Sequence, residues 1–206
     1  MTGVLTADII NSRRLEDQRV WLAPLKDVLH QFGPTPGVWE IFRGDSFQLE
    51  VKKPEETLRA ALLLKATIKS IRFSDLRIAI GIGEKTYIAE TITESNGTAF
   101  IHSGEKFEQL QQDKVTLAMR SPWPELDREI NTSLKLALIA IDAWTVGHAE
   151  FVSVMLQSEG LLQVEIGDKL GIKQNAVSGR SKRSHYHELM EFEALFREKI
   201  KAHLTK

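Results

Sequence analysis

Residues 39–51 read WEIFRGDSFQLEV, and this stretch limits the fold more than any other in the chain. Phe47, Leu49 and Val51 alternate with Ser46, Gln48 and Glu50, the period-two pattern of a strand with one buried face. A Gly44-Asp45 turn between two apolar-rich runs is a hairpin signal. The chain must therefore build a sheet, and that sheet carries the Asp45 carboxylate at one edge.

The neighbouring segments supply the rest of such a sheet. Gly3–Ile10 reads as a central strand with Asp8 near its end, and Trp21, Leu22, Leu25, Val28, Leu29 and Phe32 follow helical spacing over 17–32. Pro24 either lies in the first turn of a helix that begins late or kinks it. Pro54-Glu55-Glu56 opens a second helix with a buried stripe through Leu58, Leu62, Ile68 and Ile71. Leu76–Gly83 is the next strand, Tyr87–Ile92 a further one, Ser103-Gly104-Glu105 caps a short helix, and Val115–Met119 closes the series. The order is strand, helix, strand, strand, helix, strand, with an extra hairpin and helix inserted before the final strand, which is a ferredoxin-like split βαβ pattern, so the fold class is α+β. The βαβ crossover makes the first strand and Trp39–Phe42 parallel, which brings Asp8 and Asp45 to one sheet edge.

Ser121-Pro122-Trp123-Pro124 is stiff punctuation, and everything after it reads as helix: 126–144, 151–156, 162–170, 174–183 and 186–204. The expected division is a sheet domain over 1–120 and an all-α domain over 125–206, with a helix-turn-helix at about 162–183. With 206 residues, 42% of them hydrophobic, the chain has the apolar content for cores of this kind, and its composition does not indicate disorder. Cysteine is absent, so thiolate metal sites and disulfides are excluded. The N-terminus has no basic leader, and the longest apolar run, Leu136–Ile141, is too short to span a bilayer. A cytoplasmic protein without a membrane partner is the expectation.

Charge divides the chain. Residues 161–206 carry nine Lys/Arg against six Asp/Glu, and within them Lys173–His187 holds four Lys/Arg, two His and no acid. Such a block points to a polyanion partner or to an ordinary solvated surface. The motif beside it favours the former. In 163–178, QVEIGDKLGIKQNAVS, Ile166 and Leu170 face inward from one helix, Gly167 is small where two helices cross, Gly171 supplies a left-handed turn, and Ile172 and Val177 complete the core. Lys173, Gln174, Asn175, Ser178, Lys182 and Arg183 are then left outward, a set of amides, hydroxyl and cations suited to base edges and phosphates. Arg180 falls where such motifs bury an aliphatic residue, which implies a helix that ends early or leans. A three-helix scaffold or a protein-docking surface is the alternative reading.

Asp8 and Asp45 are the second constellation. Paired carboxylates at a strand edge are what Mg2+ with a phosphate-bearing nucleotide requires, and Arg13, Arg14 and Arg43 lie close enough in the chain to contact phosphate. The plainer reading makes Asp45 a turn residue bonded to its own backbone and Asp8 a cap on the following turn.

TADIINS, IFRGDSFQLEV, RIAIGIGE and NGTAFIHSGEKFEQL stand in the order and spacing of the class III nucleotidyl cyclases and, more loosely, of the GGDEF diguanylate cyclases. This resemblance implies a palm-like sheet with Asp8 and Asp45 at the places of the metal-binding aspartates. In the cyclases, the segment aligned with 97–107 supplies an asparagine and an arginine to the transferring phosphates, where this sequence has Ile101 and Glu105. An apolar residue and an acid do not stabilise developing negative charge. Over its full length, through Asp142-Ala143-Trp144-Thr145 and the helix pair, the chain resembles the SatD family of bacterial proteins. The expectation is a DNA-binding transcriptional regulator whose sheet domain binds a phosphate-bearing ligand with Mg2+. The alternative is a metal-dependent nucleotide-processing enzyme with a helical scaffold. A homodimer accords with either.

Overall fold

The computed structural model describes residues 1–12, 17–158 and 160–205. The fold is α+β, and its five-stranded sheet is mixed and open. In chain order the elements are β1 (Thr2–Ile10), α1 (Arg19–Leu29), β2 (Trp39–Phe42), β3 (Ser46–Val51), α2 (Thr57–Lys69), β4 (Asp75–Gly83), α3 (Thr98–Asp113), β5 (Leu117–Arg120), α4 (Pro124–Asp142), α5 (Val146–Gln157), α6 (Gln163–Leu170), α7 (Gln174–Arg183) and α8 (Tyr186–Leu204). The strands lie in the order β2-β3-β1-β4-β5, antiparallel except for the β4–β5 pair. β2 and β1 consequently run the same way on either side of β3, as the crossover through α1 requires.

Strand alternation divides the side chains between two faces. Leu5, Ala7, Ile9, Phe47, Leu49, Leu76, Ile78, Ile80, Leu117 and Met119 join one core with Trp21, Leu25, Val28 and Leu29 of α1. α3 covers the β1–β4–β5 part of the other face, where Val4 meets Ala99 and Phe100, and Ala79 meets Leu110 and Ala118. That helix lies almost on the strand. A Cβ at Gly81 would stand 2.2 Å from the Ala99 carbonyl oxygen and 2.3 Å from the Ser103 nitrogen, so only glycine admits so close an approach.

α2 is buried on nearly its whole circumference, Arg59 alone being half-buried. A helix that is buried all round must be packed between layers. The sheet lies on one side, and α5 and α8 pack on it from the helical half, so that Leu58, Leu62, Phe151, Val152, Phe196 and Ile200 belong to one continuous core. A polar joint adds to this. Lys65 Nζ, fully buried, donates to Asp75 Oδ1 (2.8 Å), the Leu76 carbonyl (3.0 Å) and Thr116 Oγ1 (2.9 Å), while Thr116 Oγ1 donates to Asp142 Oδ1 (2.9 Å) at the end of α4. Ser121–Pro124, the expected boundary, is a capped turn: the Ser121 N–H and Oγ both donate to Asp127 (3.0 and 2.6 Å), and Pro124 begins α4.

Two expected elements differ. Tyr87–Ile92 forms no strand, only an isolated bridge from Tyr87 to Asn96, and Tyr87 and Ile88 face solvent instead of alternating. Ser103-Gly104-Glu105 is not a cap but lies inside α3, where Ser103 Oγ donates to the Phe100 carbonyl (3.0 Å) and accepts from Thr6 Oγ1 (3.0 Å). A hydroxyl satisfied by its own helix and by a strand no longer competes with the helix. Pro24 lies within α1. No helix among the described residues is long and apolar enough to cross a membrane.

Candidate functional site

The sheet edge at the end of β1 carries an open cleft of about 560 Å³, lined by 8–12, Asp45 and Arg77. Asp8 and Asp45 both reach it, because the Ile9 N–H donates to the Asp45 carbonyl (3.1 Å) and ties the hairpin turn to the end of β1. Asp45 Oδ2 accepts a short bond from Ser12 Oγ (2.5 Å). Asp8 has a partner that sequence reasoning missed. It stands opposite Arg77 in the β1–β4 register, and Arg77 takes both of its oxygens, Nε to Oδ1 at 2.9 Å and Nη2 to Oδ2 at 2.6 Å. In the sequence Arg77 is one polar residue in an apolar run, and only the strand register shows what it faces. The hydrogen bond to Asp8 raises the Arg77 pKa above its ordinary value against the opposing effect of burial, with the charges of Asp8 and Asp45 adding to it.

Arg43 lies in the hairpin turn, exposed and with a positive φ of 51°. Arg13 and Arg14 lie outside the described residues. Among the described residues no group of three or more His, Asp or Glu is arranged to hold a metal. The donor chemistry at the cleft is of the hard oxygen type that Mg2+ takes, but Arg77 occupies both oxygens of Asp8. A dication there would compete with the guanidinium charge for Asp8. Ile101 is half-exposed on α3, and Glu105 beside it pairs with Arg120 at 2.6 Å.

The second candidate is the α6–α7 pair. Gly171 adopts the left-handed conformation (φ 63°) after α6, and the Ile172 N–H donates back to the Gly167 carbonyl (2.9 Å). A Cβ at Gly167 would stand 2.7 Å from the Ile172 oxygen. Ile166 and Val177 are buried in the core, and Leu170 and Ile172 are partly buried against it. Lys173, Gln174, Asn175, Ser178, Lys182 and Arg183 are all exposed. Gln163 Oε1 accepts from Ser178 Oγ (3.2 Å) and Gln174 Nε2 (3.4 Å), so two of these residues are oriented from α6.

Arg180 neither ends α7 early nor enters the core. Its guanidinium lies against Gly147 and donates to Glu150 (2.8 Å), fastening α7 to α5, and α7 continues to Arg183. A buried bond from Trp144 Nε1 to the Ser184 carbonyl (2.9 Å) holds the other end. His148, in the first turn of α5, has its pKa lowered by burial and then by the nearby charges of Arg183 and Arg180. Comparison with family models, with curated proteins and with solved structures finds no match.

Proposed function

We propose that this chain is a DNA-binding regulator that reads a duplex with α7. The observation that carries the reading is the α6–α7 pair, whose exposed side holds Lys173, Gln174, Asn175, Ser178, Lys182 and Arg183 in a stretch, 173–187, without a single acid. Amides read base edges and cations hold phosphates. Gly171 and the burial of Ile166 and Val177 support a helix-turn-helix. Titration of a mixed duplex pool at low salt tests it: binding that weakens steeply with salt is expected, and no binding would leave α7 as a docking or scaffold helix.

The cleft supports a second role, capture of a phosphate-bearing ligand together with Mg2+. Asp8 and Asp45 would hold the metal, whose charge would neutralise the phosphate, and Arg77 would pass from Asp8 to the phosphate. Metal and phosphate then bind together and neither binds well alone. The β2-β3-β1-β4 order, with α1 and α2 on one face, supports the ferredoxin-like, palm-like reading. Thermal shifts with ATP or GTP and Mg2+ present singly and together provide the test. Nucleotide turnover that disappears in Asp45→Asn would replace binding with an enzymatic role.

A further inference from the structure

α4 and α8 lie antiparallel, as the Glu129–Lys199 ion pair (2.8 Å) and the Trp123–His203 ring contact (5.0 Å between centroids) show at one end. Leu126, Ile130, Leu134, Leu138 and Ile141 form the stripe that α4 turns to the core. The opposite face of a surface helix is expected to be polar. In the N-terminal half it is, with Glu125, Arg128, Glu129 and Thr132. In the C-terminal half it is not: Leu136 is 67% exposed and Ile139, one turn on, 73%. Beside this ridge runs a mainly apolar groove of about 320 Å³ between the two helices, lined by Leu136, Ala137, Ala140, Leu189 and Phe192 together with Ser133, His185 and Glu188. An apolar ridge with an apolar groove next to it marks an interaction surface.

We propose that this face binds a second copy of the same chain, the α4 ridge of each copy seated in the groove of the other, about a two-fold axis parallel to the groove. Shape supports that occupant. Ridge and groove lie side by side on one chain, so a single two-fold satisfies both at once, as an isologous interface requires. Charge supports it as well. The flank of α4 turned away from α8 carries Arg128 and Lys135, while α8 exposes Glu188, Glu191 and Glu198, and among the described residues none of these five side chains makes an ion pair. The same two-fold sets the cationic flank of one copy against the acidic edge of α8 in the other. α7 joins α8 directly through Ser184 and His185, so both copies present α7 at the same end of the dimer.

The test uses the full chain without DNA, so its outcome is independent of whether the protein binds a duplex. Light scattering after size exclusion, over a dilution series, is expected to give the mass of two chains. Leu136→Asp combined with Ile139→Asp should give one chain with an unchanged circular dichroism spectrum, since both side chains are exposed in the single chain. Lys135→Glu should weaken association about tenfold or more, and Glu188→Lys with Glu191→Lys in that background should restore it. A wild type that stays a single chain at every concentration, a dimer that survives the paired aspartates, or a charge reversal that the lysines leave unrestored would overturn the proposal.

Discussion

Arg77 on β4 grips Asp8 on β1 with two parallel hydrogen bonds, at 2.9 and 2.6 Å, from directly opposite it in the strand register. Planar two-pronged pairing is the strongest form of an arginine–carboxylate contact. Of the two acids in the cleft, Asp8 is neutralised from within, and Asp45, among the described residues, accepts a hydrogen bond from Ser12.

The first consequence concerns metal binding. Arg77→Gln removes the cation that competes with Mg2+ for Asp8 and leaves two carboxylates sharing one cleft. Melting temperature measured against MgCl2 or MnCl2, at ionic strength matched with NaCl, should rise more steeply in the variant than in the wild type. Equal slopes would mean that Asp8 and Asp45 do not share a dication.

Duplex binding should respond to α7 in a countable way. Each phosphate contact neutralised by the protein contributes roughly 0.9 to the slope of log affinity against log salt. Lys182→Ala with Arg183→Ala should therefore weaken binding and flatten that slope by about 2. Asn175→Ala should instead reduce discrimination between duplex sequences and leave the slope in place. An unaltered slope in the double variant would take residues 182–183 out of the interface.

Much of this architecture is legible in the sequence because local pattern and tertiary role agree. The hairpin strands, α7 and α8 fall where alternation, turn residues and apolar stripes put them. The misreadings arise where a distant partner decides. Ser103-Gly104 has the composition of a cap, but Thr6 on β1 and the Phe100 carbonyl absorb the hydroxyl, so the helix passes through. Tyr87–Ile92 has strand-forming residues but no neighbouring strand to pair with. Arg77 is a plain cation in the sequence and Arg180 an anomaly of its motif, and their partners, Asp8 and Glu150, are brought to them by the fold. Of the candidate cleft, the carboxylates could be read from the chain and the arginine that occupies one of them could not.

His148 gives a pH signature near α7. Its folded-state pKa lies below the ordinary 6.5, from burial first and then from Arg183 and Arg180. The folded chain thus binds fewer protons than the unfolded chain between the lowered value and 6.5, and stability rises with pH across that window. Acidification from above 6.5 should destabilise the fold as it passes down to the folded-state pKa, and His148→Gln should flatten this part of the profile. Arg183→Ala should move the imidazole pKa upward in an NMR titration. An unmoved pKa would show that the guanidinium lies too far away to act.

The buried joint between sheet and helices should be asymmetric to mutation. Lys65 Nζ is fully buried, while Asp75 is shared, its Oδ1 with Lys65 (2.8 Å) and its Oδ2 with Lys69 (3.0 Å). Asp75→Asn leaves a buried ammonium whose nearest remaining carboxylate is Asp142, at 3.4 Å, and should cost about 3 kcal/mol. Lys65→Met keeps the aliphatic stem, and Asp75 retains Lys69, so the expected loss in urea unfolding is smaller. Because the two changes remove one interaction between them, the double variant should lose less than the sum of the singles. Strict additivity would mean that Lys65 is held by the Leu76 carbonyl and Thr116 alone, and that Asp75 serves only Lys69.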